Sequence, residues 1–265
     1  MKSQVTHKPF YKKAEKLIVY FGCLGIILGV FLFSLNLFLS DEQTKWWFWI
    51  VAILFIIGAI SGVVSVVASN EKSPIKLLIL SIIATIFKLL YPIIQVVTGN
   101  DDEAINSTVF FGQSISMIFL FLQVFLWLRW NKQADSGKFL TRHFKDHQRY
   151  IFAAFVLLLF MAGMVFSKIV MNNNWLWAFI DVFGGIAFML GNWLMIFGNI
   201  YCFFFFFASD LTWIGWTIVD LLDSDNSIMQ LIALATLVEV LSYTGLAITG
   251  YFAWAEDKKA LILKS

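Results

Sequence analysis

The chain has 265 residues, 60% of them hydrophobic, with 29 Phe, 11 Trp, a mean hydropathy of +0.81 and a net charge of only +2. Apolar blocks of about 20 residues, the length a helix needs to cross a hydrocarbon core of about 30 Å, alternate with short polar segments from end to end. A soluble domain is excluded, and so is a nucleotide-driven motor within this chain: the longest polar connection, Asn131–Arg149, has 19 residues, and no G-x-x-x-x-G-K-[ST] run occurs.

Eight spans are predicted: 17–39, 46–69, 75–98, 107–130, 150–171, 175–198, 203–222 and 228–254. Strands are excluded by block length and by the absence of period-two alternation. The first block follows five lysines and is not followed by a small-residue cleavage site, so it is expected to remain as a span. The second opens on Trp46, Trp47 and Trp49, the sixth on Trp175 and Trp177, both read as interfacial belts. Trp127, Trp130 and Trp254, at the other ends of their spans, also read as belt. The third span holds Lys88, for which Glu239 of the eighth is the expected partner by depth. The loop after the fourth carries His143 and His147 at i and i+4. With no anchoring thiolate, and Asp146 as the one nearby carboxylate, this reads as a solvated basic loop rather than a metal site. Cys23 and Cys202 both lie in apolar blocks and read as small hydrophobic residues.

Charge supports the count of eight. Placing loops on alternating sides puts 16 Lys and Arg on the side of both termini and only Lys45 on the other, with Lys88 and Lys168 inside spans. The opposite loops carry Asp41, Glu42, Asp101–Glu103, Asp223 and Asp225. This is the positive-inside pattern, and it predicts an even number of spans with both termini in the cytoplasm. The junction from Tyr201 to Asp210, which has no basic residue, is the one place where a single long helix competes with two spans.

Polar residues at membrane depth are costly and hence functional candidates. In the fourth span Gln113, Ser116, Gln123, Trp127 and Trp130 share a sector at 100° per residue. The sixth offers Asp181, Gly185, Phe188, Asn192 and Asn199, and the eighth Glu239, Ser242, Tyr243 and Gly250. The seventh offers Trp213, Trp216 and Asp220, with both indoles near mid-depth, where a belt role does not apply. These four stripes are read as walls of one polar pathway; the alternative is that they only knit helices together. The Phe203–Phe207 run reads as lipid-facing or packing bulk.

Trp213-Ile-Gly-Trp216-Thr-Ile-Val-Asp220 resembles the W-x-x-W-x-x-x-[N/D] signature of the PnuC family of nicotinamide riboside transporters. Asp181 ahead of Leu194-Met195, Trp127-Leu-Arg-Trp130, Ala68-Ser-Asn-Glu-Lys72, and Gly250 with Trp254 resemble further family positions, so the likeness spans nearly the whole chain. The chain departs at Leu80–Ile83 and Phe125-Leu126, and by about ten extra residues around Tyr201–Asp210.

The resemblance implies an all-α membrane fold: an N-terminal tail and helix (1–39), a three-helix unit (46–130), a cytoplasmic loop and linking helix (131–171), a second three-helix unit (175–254) and a tail (255–265). The two units would form a parallel, SWEET-like repeat. It also implies facilitated diffusion of a vitamin-like nucleoside, trapped by a cytoplasmic kinase, with no cofactor, metal or nucleic acid and no enzymatic step. A homo-oligomer is compatible with the chain. In physical terms, two indoles stack on a flat pyridinium and add cation–π attraction. Asp181 and Asp220 hold the charge or the ribose, and Gln113, Gln123 and Asn192 hydrogen-bond ribose and carboxamide, with Trp127 and Tyr243 completing the set. Thiamine, riboflavin or a deoxynucleoside is the alternative cargo. An accessory subunit, or an intramembrane hydrolase built on Asp181 and Asp220, is the alternative class.

Overall fold

A computed structural model describes the backbone of residues 10–40, 46–98, 103–134, 141–142, 144–170, 175–223 and 227–262. Side chains near several helix ends, those of 33–52, 88–116 and 257–262 among them, lie outside the described residues. Eight helices are described: α1 (Phe10–Ser40), α2 (Trp46–Asn70), α3 (Pro74–Thr98), α4 (Glu103–Gln133), α5 (Asp146–Val170), α6 (Trp175–Ile196), α7 (Cys202–Asp223) and α8 (Ser227–Ile262). Among the described residues four stretches are long and apolar enough to cross a membrane: Phe10–Leu32, His147–Val165, Cys202–Val219 and Gln230–Glu256. Shorter apolar stretches lie in α2, α3 and α6.

The phenylalanine-rich junction is two helices, not one. Gly198 takes a left-handed φ of 66°. The Gly198 amide donates to Met195 O at 2.9 Å and the Asn199 amide to Leu194 O at 2.9 Å, the paired bonds of a Schellman turn. Asn199 therefore leaves the α6 face predicted for it, and its side chain accepts a bond from the Tyr201 amide at 3.0 Å. The same turn ends α2, where the Lys72 amide donates to Ser69 O and the Ser73 amide to Ala68 O, each at 2.9 Å. There the left-handed residue is Lys72, at φ 54°, a conformation that costs a non-glycine about 1–2 kcal/mol.

What holds Lys72 in that conformation is its side chain. The residue is only 3% exposed. Its ammonium donates to Thr141 Oγ1 at 2.8 Å and sits 5.1 Å from the centroid of the Trp254 ring. The Trp254 indole donates to Asn70 O at 3.1 Å, and the Thr141 hydroxyl to Trp254 O at 3.1 Å. Asn70 in turn donates to Glu15 Oε1 and Leu246 O, both at 3.1 Å. One turn thus joins α1, α2, α8 and the loop after α4. The loop is also pinned to the α6–α7 turn: the Arg142 amide donates to Gly198 O at 2.8 Å and the Ile200 amide to Arg142 O at 3.3 Å. The Arg142 guanidinium lies 3.9 Å from the Trp130 ring centroid.

Around this network lies the main core, with Leu120, Val124, Trp127, Leu194, Phe203 and Trp254. Trp127 and Trp254 are wholly buried, with ring centroids 5.9 Å apart, and Phe203 meets Trp254 edge-on at 5.1 Å. The belt reading of Trp127 and Trp254 is thereby overturned. A tryptophan at a span end serves belt or core alike in sequence, and here several helices converge on both rings. Phe203 is likewise core rather than lipid-facing bulk. Gly250 lets this happen, because its bare Cα lies against the Asn70 carboxamide and the Phe203 ring.

Helix neighbours complete the architecture. α3 packs between α2 and α4, and α7 between α6 and α8; α2 touches α8, and α4 touches α6. α1 lies along α8 through a seam of small residues, with Gly22 facing Ser242 and Gly25 facing the backbone of Ala235 and Glu239. Ser242 is therefore part of a helix–helix seam, and its hydroxyl is spent on Val238 O at 2.8 Å. The Lys88 side chain lies outside the described residues, and its expected pairing with Glu239 lies there with it.

The Schellman reading of α2 makes a prediction. Lys72→Ala removes the ammonium and keeps the left-handed strain, whereas Lys72→Gly removes both. Both variants should melt below wild type in detergent, with Lys72→Gly the more stable of the two by about 1 kcal/mol. Equal or lower stability of Lys72→Gly would contradict the turn.

Candidate functional site

The signature tryptophans stand on α7 where the sequence places them. Trp213 is the twelfth of 22 residues in the helix, and it is 60% exposed. That exposure is on the side of α7 opposite its strongly exposed aliphatic positions. Leu211 and Leu222 lie about 160–180° around the helix from Trp213 at 3.6 residues per turn. Phe204, which lines a cavity shared with α5 and α6, is also about 180° away. Thr212 and Phe206 are the α7 side chains that meet the α6 glycines Gly184 and Gly191. Trp216, half-buried, falls between them in helical register and so faces α6. Thr217, buried beside the pair, returns its hydroxyl to Trp213 O at 2.8 Å.

α6 is divided in the same way. Ile186 and Leu190 line an aromatic cavity shared with α5 and α7. Phe188 and Asn192 lie two residues further along from each, hence roughly on the other side of the helix. Phe188 meets Phe206 of α7 edge-on at 6.3 Å. A Cβ added at Gly185 would meet open space. The α6–α7 pair thus carries an apolar aromatic cavity on one side. On the other it carries Gly185, Asn192 and Trp213. Asn192 spends one amide hydrogen on Phe188 O at 2.9 Å, leaving its carbonyl oxygen to accept.

The remaining predicted residues fall in different places. The side chains of Asp181, Asp220 and Gln113 lie outside the described residues; their backbones are in α6, α7 and α4. Gln123 is 7% exposed, and its Nε2 has no hydrogen-bond partner among the described residues. Trp127, one turn on, is sealed in the core against Trp254. Tyr243 packs on the cluster of Ile26, Ala59, Val63 and Leu246 between α1, α2 and α8. Sequence reasoning passed over Asp210. This carboxylate, inside α7, is hydrogen-bonded to Thr244 of α8 and lies close to Tyr243, with Glu239 also nearby. Its signal was available as the lone acid between Phe203 and Trp213, a stretch read there as an insertion. The eighth-span stripe is therefore not a pathway wall along its length: Ser242 faces α1 and Gly250 faces Asn70. No group of three His, Cys, Asp or Glu side chains stands together among the described residues, of which His143 is not one.

The family model described as nicotinamide mononucleotide transporter matches residues 52–256, from the start of α2 to the end of the span in α8. The chain belongs to this family, the PnuC membrane transporters. Its members are transporters rather than enzymes, and α1 precedes the matched region. Comparison with curated proteins and with solved structures returned no match.

Gln123 gives a test that separates binding from packing. A buried amide hydrogen without a partner costs about 1–3 kcal/mol. Gln123→Leu should therefore raise the apparent melting temperature while lowering uptake. A fall in stability would show that the amide is satisfied and structural.

Proposed function

We propose that this transporter carries nicotinamide riboside by facilitated diffusion, with the pyridinium ring stacked between Trp213 and Trp216 and its charge held by Asp220 and Asp181. The observation that carries the reading is Trp213 itself: an indole at mid-helix, exposed on the face of α7 turned away from the aliphatic, lipid-side positions. A flat cation gains about 0.5–2 kcal/mol from each well-placed indole. Asn192 and Gln123 supply an acceptor and a donor for ribose and carboxamide, and Gln113 stands on the same helix as Gln123.

Charge separates the riboside from its phosphate. α6 and α7 contain Asp181, Asp210, Asp220 and Asp223 and not one Lys or Arg. Such a wall attracts a cationic riboside and repels a phosphate dianion, so the mononucleotide of the family's name is the poorer cargo for this chain. Thiamine, another flat cation, is the competitor that charge alone does not reject.

A parallel repeat of two three-helix units, α2–α4 and α6–α8, with α5 as linker, suits this site. Two features support it. The first helix of each unit touches the last helix of the other, and both first helices end in the same left-handed turn, at Lys72 and Gly198. Both termini are placed in the cytoplasm by the basic loops, so the sealed core around Trp127 and Trp254 closes the cytoplasmic end. A cytoplasmic kinase would then trap the cargo by phosphorylation.

Uptake of labelled nicotinamide riboside into cells lacking their own transporter, normalised to membrane abundance, tests the site. Trp213→Ala should weaken transport by a few-fold to about 30-fold, Trp213→Phe less, and the Trp213→Ala, Trp216→Ala pair should abolish it. Asp220→Asn should hurt cationic cargo far more than a neutral nucleoside. Wild-type uptake by the double variant would leave both tryptophans as packing.

A further inference from the structure

The aromatic cavity on the other side of the α6–α7 pair has no part in that mechanism. It offers about 810 Å³ in a partly open groove between α5, α6 and α7. Phe152, Phe160, Phe179, Phe183 and Phe205 are among its lining residues, and Arg149 is its one charged lining residue. Along α5 the lining runs from Arg149 to Phe160, eleven residues or about 16 Å at 1.5 Å per residue. Past Phe160, Gly163 brings α5 against Val182 and Ile186 of α6. The lined stretch of α5 is about half of a 30 Å hydrocarbon core, the depth of one leaflet.

We propose that this cavity holds one anionic phospholipid of the cytoplasmic leaflet, with hydrocarbon chain along the phenylalanines and phosphate at Arg149. Three features select this occupant. First, the one charged residue of the lining stands at the end where a headgroup would be. The Arg149 guanidinium is held over the Tyr201 ring, 5.8 Å from its centroid. Exposed Arg142 and Lys145 follow at the same end, against the single acid Asp146. Second, the lining beyond the basic end is apolar throughout, with Phe152, Val156, Phe160, Phe183 and Ile186 facing the space, which suits flexible hydrocarbon. Third, the lining offers a nucleoside nothing to bind along its length, so its hydroxyls would be buried without partners. The site lies on the linker helix, which packs on α6, and a lipid there would fill the space that α5 leaves open. The leaflet assignment rests on the orientation proposed above; the pairing of cavity with basic end does not.

Native mass spectrometry of purified protein titrated with dioleoylphosphatidylglycerol or dioleoylphosphatidylcholine tests this without any vitamin. A basic side chain near an anionic surface contributes about 1 kcal/mol, a factor of about five. Wild-type protein should retain one phosphatidylglycerol at about five-fold lower concentration than phosphatidylcholine, and Arg149→Gln should bring the two close to equal. Ala208→Trp, which fills the cavity, should cut retention of both about ten-fold, whereas Leu158→Trp, on an exposed α5 position outside the lining, should not. Retention of lipid by Ala208→Trp as in wild type would overturn the proposal. So would equal retention of the two lipids by wild type, or a dimer mass that Ala208→Trp abolishes, which would assign the face to a second copy.

Discussion

The left-handed turn that ends α2 is the constraint on which the described structure depends. Within three residues, Asn70 ties α2 to α1 and α8, and Lys72 ties it to Thr141 and the Trp254 ring. The Trp254 indole closes the circuit by donating back to Asn70 O. In a bilayer, lipid tails are as apolar as the side chains that face them, so helices are held by close packing and hydrogen bonds rather than by exclusion of water. A polar knot that gives partners to the Asn70 amide nitrogen, the Lys72 ammonium and the Trp254 indole therefore does what a hydrophobic core does in a soluble protein. Thr141 and Arg142 extend the knot to the α6–α7 turn.

Next to the knot, one helix pair has two unlike sides. α6 and α7 approach closely because Gly184 and Gly191 accept Thr212 and Phe206. Once paired, they turn phenylalanines to one side and an exposed Trp213, Asn192 and Gly185 to the other. A transporter needs this sidedness. A substrate path lined by indole and amide must be separated from the acyl chains by a wall that neither leaks nor flexes. The aromatic contacts of Phe206 with Phe188, and of Phe205 with Phe152, lie on the two sides of that wall.

Most of the architecture was legible in the sequence because the bilayer sets element length and the loops carry the charge. All eight helices fall within a few residues of the expected spans, except where α1, α4 and α8 run on past the hydrocarbon by about one to two turns. The ambiguous junction resolved as two helices through Gly198, a residue whose left-handed turn could have been suspected from Phe-Gly-Asn after an apolar run. What sequence did not reveal is what each polar residue faces. Trp127 and Trp254 look like belt because span ends are where belts occur. Only the convergence of α2, α4, α6, α7 and α8 makes them core. Ser242 and Gly250 share a helical face with Glu239, yet that face is taken by α1 and by Asn70, and helical periodicity carries no information about which neighbour arrives. The α7 stripe was legible because two indoles at i and i+3 in mid-span have few structural uses.

The central claim is that the acidic, indole-bearing side of α6–α7 selects a flat cation without a phosphate. Thermal unfolding of the purified wild-type protein against nicotinamide riboside, nicotinamide mononucleotide, thiamine and thymidine tests it most directly. A ligand at 100 times its dissociation constant stabilises the folded state by about 2.7 kcal/mol. Saturable stabilisation by the riboside, with none from the mononucleotide and little from thymidine, is the predicted result. Stabilisation by the mononucleotide but not the riboside, or equally by neutral thymidine, would contradict the account.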